Sequence, residues 1–266
     1  MTEATSPSAL DALLATLRVD GDVATAHIDD GWMQGRTAYG GISSAVALAG
    51  AMALHPTEAP LRYAQISFVG PVYGEVEARA RVLRNGRNAT WIGAEITRGG
   101  EVALTASFVF MGPVESALHL NDRPAPVGLI PPGDAQVFGM RNSPEFLRHH
   151  FEVRFALPRS EAKRPELCWW VRSPAAESMD PMIGLMLVAD ALPPGVLPLL
   201  APKTPVSSMT WLCNLLTPAP ATRDGWWLLR STGDYAENGC SSQRMEIWNA
   251  DGEPVMAGMQ SVAVFG

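Results

Sequence analysis

In this 266-residue chain the side chains best placed for chemistry are a carboxylate, a hydroxyl and an amide in apolar surroundings of the second half: Asp190, Ser208 and Gln260. Asp190 ends an uncharged run that begins at Pro181, and a lone carboxylate there has to be solvated, paired or kept neutral. Gln260 sits in a stretch, Val255 to Phe265, that carries no charge, and a buried amide has two donors and two acceptor sites to satisfy. Ser208 offers a hydroxyl that can donate and accept at once. Each has a structural alternative: a helix-end acid facing water before Pro193 and Pro194, a strand serine beside Ser207 and Thr210, and a glutamine paired with a strand end or water. Together, from one helix and two strands, they make a candidate polar set. No Gly-x-Ser-x-Gly motif occurs, and His27, His55, His119, His149 and His150 have no convincing partner in sequence, which disfavours a serine nucleophile and covalent catalysis. Cys168, Cys213 and Cys240 are odd in number and widely spaced, so neither a disulfide framework nor a metal site is expected, and reduced thiols are the default.

The elements that must hold these groups follow from periodicity. The run from Gly40 to Leu54 is charge-free on every face, so a helix there has to be surrounded by protein, with its small residues allowing close packing. Thr37 to Thr57 approaches spanning length, but Gly40, Gly41, Gly50 and small polar residues argue for a buried helix rather than a membrane span. Val76, Ala78, Ala80 and Val82 alternate with charges, a half-buried antiparallel strand, and Asn85-Gly86 then signals a hairpin. Further strands are expected at Ala89 to Arg98 and Val102 to Phe110. Six prolines from Gly112 to Pro144 mark a linker, though the segment is too long to be only that. Strands near His150 to Phe155 and Leu167 to Arg172 follow, then a helix from Pro181 to Ala189 with Asp180 as N-cap and Pro181 at its first position. Strands at Val206 to Leu216, Trp226 to Thr232, Ser241 to Trp248 and Val255 to Phe265 complete the pattern. Ahead of all this, Leu10, Leu13, Leu14 and Leu17 recur at helical spacing.

The two halves share one plan. Pro71 matches Pro218 at an offset of 147, and Gly100-Glu101 matches Gly252-Glu253 at 152, as an internal duplication with small insertions would give. Residues 1–112, a linker at 113–147 and residues 148–266 are the expected divisions. The same offsets set Phe108 opposite Gln260 and Leu61 opposite Ser208, so the polar set belongs to one copy only.

Composition narrows the partners. Acids outnumber bases, for a net charge of -7, which argues against nucleic acid. Met1 to Pro7 lacks a basic region, so no signal peptide is expected and a cytoplasmic location is the default.

The chain resembles the double hot-dog acyl-CoA thioesterases of the type II group. The resemblance rests on Tyr39-Gly40-Gly41, Phe68 to Pro71, Thr105 to Phe108, Ala189-Asp190, Val206 to Met209, Trp227 to Leu229, Asp251-Gly252 and Met259-Gln260, in order and spacing. It implies an α+β fold of two tandem hot-dog units, each a long buried helix wrapped by a curved antiparallel sheet. It also implies a water for thioester hydrolysis held by an Asp, a Ser or Thr and a Gln, which fall on Asp190, Ser208 and Gln260. The chain departs from that pattern at Ile42, where a glutamine is usual, and in the strand after Ser208, which lacks the usual Asp and the usual His or Arg. The oxyanion would need backbone N–H donors at a buried helix start, at Gly40-Gly41 or at Asp180 to Ile183. Met182, Met186 and Trp211 are candidates for an acyl tunnel, or simply core. Arg84, Arg87 and Arg98 are candidates for the CoA phosphates. No cofactor beyond the CoA of the substrate is expected, and a homo-oligomer is, because long sheet edges are normally covered. The competing reading is a non-catalytic acyl-CoA-binding or regulatory protein of the same fold, and a dehydratase would need a histidine base at the pocket.

Overall fold

A computed structural model of the chain describes residues 13–14, 16–176 and 179–266. The N-terminal helix expected from Leu10 onward lies largely outside them, although Leu13 is helical and buried.

In chain order the elements are β1 (Arg18–Asp20), β2 (Val23–Ile28), the short β3 (Met33–Gln34) and β4 (Thr37–Ala38), then α1 (Gly40–Leu54). The first half ends with β5 (Leu61–Phe68), β6 (Gly74–Asn85), β7 (Ala89–Arg98) and β8 (Glu101–Met111). The second half has α2 (Glu145–His150), β9 (Glu152–Phe155), β10 (Glu166–Arg172), α3 (Pro181–Ala189), β11 (Val206–Leu215), β12 (Trp227–Glu237), β13 (Cys240–Trp248) and β14 (Pro254–Val264). Twelve strands form one antiparallel sheet in the order β1-β2-β6-β7-β8-β5-β11-β14-β13-β12-β10-β9, so the halves mirror each other across the β5–β11 seam.

Both long helices lie on the inner face of this sheet against each other, and their charge-free surfaces explain why: α1 is buried at every position from Gly41 to Ala51, and α3 from Met182 to Ala189. The helices meet through Gly41, where an added Cβ would lie 2.4 Å from the Leu187 carbonyl oxygen and 2.5 Å from the Tyr39 ring. Gly41→Ala is therefore expected to destabilise the protein by about 1–3 kcal/mol through overpacking, which a denaturant midpoint would register; an unchanged midpoint would mean that the helices can separate freely. Met182, Met186 and Trp211 are all buried in this core.

Residues near His150 expected as strand are helical up to His150, and the strand starts only at Glu152. Pro144 precedes that short helix as its N-cap, and Phe146 and Leu147 on one side of it are buried. The proline-rich segment is more than a connector. It caps the outer face of the second half, where the indole N–H of Trp170 donates to the Ile130 carbonyl at 2.8 Å and that of Trp248 to the Arg123 carbonyl at 2.9 Å. It also pairs along the β9 edge, with Phe138 N–H donating to Val153 O and Phe155 N–H to Gln136 O. The three cysteines are unpaired, Cys168 and Cys213 buried and Cys240 exposed.

Candidate active site

Asp190 follows directly on α3, and its carboxylate meets β14 and the start of α1. Gln260 Nε2 donates to Asp190 Oδ1 at 2.9 Å, with Asp190 8% and Gln260 3% exposed. The other carboxylate oxygen rests against Gly40: a Cβ built on that glycine would lie 2.4 Å from Oδ2 and 3.1 Å from the Phe68 ring. A charged group this far from water is strongly penalised, so burial pushes the Asp190 carboxyl up to about 7, while the Gln260 hydrogen bond, which favours the charged form, pulls it back only partly. Tyr39 and Cys213, the ionisable neighbours that feel its charge, are themselves pushed up by burial and by Asp190, so they stay neutral.

Two carriers of N–H donors were open on sequence, and the caps separate them. At α3, Asp180 accepts from the N–H groups of Met182 at 2.9 Å and Ile183 at 3.3 Å, and Pro181 has no N–H, so that helix satisfies its own first turn. At α1 no side chain among the described residues caps the first turn; Tyr39, at the N-cap position, instead sends its hydroxyl to the Leu187 carbonyl at 2.8 Å. The start of α1, with the positive end of its dipole, therefore lies beside Asp190 Oδ2. Tyr39 is itself clamped by a stacked Phe146 ring 4.0 Å away, which is how α2 bears on the site.

Gln260 belongs to a row that crosses the sheet on its inner face: Gly233, Gln243, Gln260, Trp211 and Ile66 are successive register partners on five neighbouring strands. In the first half Phe108 pairs with Ile92 and Ala64 as Gln260 pairs with Gln243 and Trp211. Two buried apolar side chains thus occupy the places of the two glutamines, and the polar site exists once. Gln243 was missed on sequence. The offset of 152 that singles out Gln260 sets Gln243 opposite Trp91, one residue from its register counterpart Ile92, so the same comparison of halves carried one strand further meets an apolar residue there too. Trp211 beside Gln260 is fully buried, and its indole N–H has no hydrogen-bond partner among the described residues.

The remaining candidates are placed less compactly. Ser208 faces inward opposite Val262, one inner-face position beyond Gln260 and past an irregularity at Met209, and no hydrogen bond joins it to Asp190 or Gln260 among the described residues. Gln243, rather than Ser208, is the residue bonded to Gln260. Arg84, Arg87 and Arg98 do not form one patch. Arg84 and Arg87 lie at the β6–β7 hairpin, whereas Arg98 is at the far end of β7, about 24 Å along the strand from the residue opposite Arg84. Arg98 donates to the Tyr73 carbonyl at 3.0 Å and lies over the Tyr73 ring, in the turn whose Val72 carbonyl accepts from Ala38 N–H just before α1. A cavity of about 280 Å³ between Arg154, Arg223 and Trp226 and another of about 400 Å³ near Ser173, Gly184 and Trp227 are lined by neither Asp190 nor Gln260.

Comparison with known proteins agrees with this architecture. Residues 28–111 match the family profile of the acyl-CoA thioesterase N-terminal domain, and residues 121–264 match that of the C-terminal domain. Among solved structures, a hot-dog protein of unknown function from Alicyclobacillus acidocaldarius superposes with a TM-score of 0.87 at 21% identity, covering 98% of this chain and 99% of that one. A candidate thioesterase II from Thermobifida fusca gives 0.84 at 22% identity, with 98% and 99% covered. The acyl-CoA thioesterase II of Mycobacterium marinum gives 0.76 at 17%, with 96% and 98% covered. Likeness at these identities speaks for the fold alone. No curated protein matches the chain significantly in sequence. With both domain profiles matched in order across most of its length, the chain belongs to the double hot-dog acyl-CoA thioesterase family.

Proposed function

We propose that the protein hydrolyses acyl-CoA thioesters to free acid and CoA by direct attack of a water held at Asp190. The observation that carries this reading is a buried carboxylate, hydrogen-bonded on one oxygen by Gln260 and pressed with the other against the uncapped start of α1.

The chemistry follows from that arrangement. Asp190 Oδ2 accepts a hydrogen bond from the water and takes its proton as the water oxygen attacks the thioester carbon. The carbonyl oxygen, gaining negative charge, accepts from the first-turn N–H groups of α1 around Gly40 and Gly41. The carbon–sulfur bond then breaks, and the thiolate leaves with the proton that Asp190 accepted. Ser208, inward on β11, is assigned a supporting place on the same face, where its hydroxyl can bond a water of the site. Arg98, near the opening of α1, is the arginine of the three best placed for a CoA phosphate; Arg84 and Arg87 are assigned no role.

The pKa of Asp190 fixes a pH dependence. The base must be ionised, so kcat should fall as pH drops through about 7 and level off above it. Thiol release measured from pH 5 to 9 over a panel of acyl chain lengths tests both points. Turnover with an acid limb in that region supports the reading. Tight acyl-CoA binding without turnover at any chain length would replace the hydrolase with a binding protein, and a flat profile would remove Asp190 as base.

A further inference from the structure

Behind Gln260 lies a polar chain that the hydrolytic reading does not use. Gln243, 0% exposed, donates through Nε2 to Gln260 Oε1 at 2.7 Å. Its own Oε1 accepts from the backbone N–H of Gly195 at 2.7 Å and from the hydroxyl of Ser231 at 3.2 Å. Ser231 is likewise 0% exposed. The corresponding places in the first half are filled without any such chain, by Ile92 and Phe108.

An amide can be turned end for end, so the direction of two linked amides has to be set by something that cannot turn. Gly195 provides it. A backbone N–H only donates, so the Gln243 atom facing it must be the carbonyl oxygen. The Gln243 amide nitrogen is then the atom that faces Gln260, the Gln260 oxygen is turned toward Gln243, and the Gln260 nitrogen is left for Asp190. The fold protects this contact. Gly195 packs so closely that an added Cβ would lie 2.6 Å from the Gly233 nitrogen, and Gly233 is the register partner of Gln243 on β12. Two glycines thus let the segment after α3 reach a side chain buried in the sheet.

We infer that Gln243 is a positioning residue: anchored by the Gly195 N–H, it locks the Gln260 amide in the one orientation that presents a donor, never an acceptor, to Asp190. The inference deepens the proposed hydrolysis and rests on that reading for its kinetic consequence, but not for its structural one. With the orientation locked, protonated Asp190 finds no acceptor in Gln260, so the ionised form is favoured against the burial that opposes it. Without Gln243, the Gln260 amide is free to turn and accept from the protonated acid. The titratable groups facing Asp190 are Tyr39 from the start of α1 and Cys213 from β11, both held neutral by burial, so neither substitutes for this control.

Carboxyl carbon NMR of Asp190 against pH, together with the kcat profile, tests the idea in three proteins. Gln243→Met should raise the Asp190 titration midpoint by about one pH unit, move the acid limb of kcat with it and lower kcat about fivefold at pH 7, with KM within twofold. Ser231→Ala removes a buried hydrogen bond from the same carbonyl but leaves the Gly195 anchor, so its Asp190 titration should match the parent. A folded Gln243→Met protein titrating like the parent, or Ser231→Ala shifting as much as Gln243→Met, overturns the inference. If Gln243→Met does not fold, the parent decides: the side-chain N–H signals of Gln243 and Gln260 should exchange slowly and move together as Asp190 titrates, and independent behaviour overturns it. A shifted titration in a protein that hydrolyses no thioester leaves the lock standing and removes the hydrolase.

Discussion

Asp190→Asn should reduce kcat by about 10²–10⁴-fold, the range that one general base supplies, while acyl-CoA still binds. The same substitution should make the protein more stable at and above neutral pH. In the unfolded chain an aspartate titrates near its usual value of 3.8, and in the folded protein near 7. Between those values the native state holds a proton that the unfolded state has lost, so stability declines as pH rises through the window and stays lower above it. The shift corresponds to an order-of-magnitude cost of about 4 kcal/mol at pH 8. Asparagine carries no charge to desolvate, and it keeps an oxygen able to accept from Gln260. Thermal melts of both proteins should therefore diverge by several degrees at pH 8 and converge near pH 4. Equal melts at both pH values would mean that Asp190 is solvated, and unaltered kcat in Asp190→Asn would remove it from the chemistry.

Gly40→Ala should separate activity from folding in the opposite sense. Alanine is favoured over glycine in a helix by about 1 kcal/mol, so helix propensity alone predicts no loss of stability. The added methyl, however, would fall 2.4 Å from Asp190 Oδ2, well inside contact distance, and the carboxylate at the end of a short side chain has to turn away. It then leaves the N–H groups at the start of α1, and the water loses its place between them. Displacement of a catalytic group by about 1 Å costs on the order of a hundredfold, so kcat/KM should fall by that much. The strained Gln260–Asp190 bond and the Phe68 ring 3.1 Å from the new methyl offset the gain in helix propensity, so that the melting temperature falls by no more than in Gly41→Ala. Steady-state kinetics beside a thermal melt checks it. Full activity in Gly40→Ala would show that the carboxylate does not work from beside Gly40.

Much of this was legible in the sequence because charge-free helices and alternating strands leave little choice of where they pack. The run from Gly40 and the run from Pro181 had to be buried, and the offset of 152 sets Phe108 against Gln260, as the sheet register does. β1 and β2 were passed over although Ala24, Ala26 and Ile28 alternate with exposed Thr25 and His27, since six residues after a turn at Gly21 make a faint signal beside the longer strands. The site was harder to read. Pairing of Gln260 with Asp190 depends on two elements 70 residues apart, which no local pattern encodes. Ser208 looked equivalent to the other two on residue type, but the irregularity at Met209 and its place one inner-face position along β11 set it apart from the bonded pair. The arginines failed as a group because turns at opposite ends of one strand are close in sequence and far apart in space. Gln243 is the most instructive miss: it lies next to charged Arg244 and Glu246 and reads as a surface strand residue until its neighbours are known.

The most direct test is a crystal structure of the protein with a ketone analogue of acyl-CoA, in which a methylene replaces the thioester sulfur and hydrolysis cannot occur. The carbonyl oxygen should accept from the backbone N–H groups at the start of α1, with its carbon facing Asp190 across a single water. A carbonyl seated at α3 instead, or anywhere that Asp190 and Gln260 do not reach, would contradict the assignment.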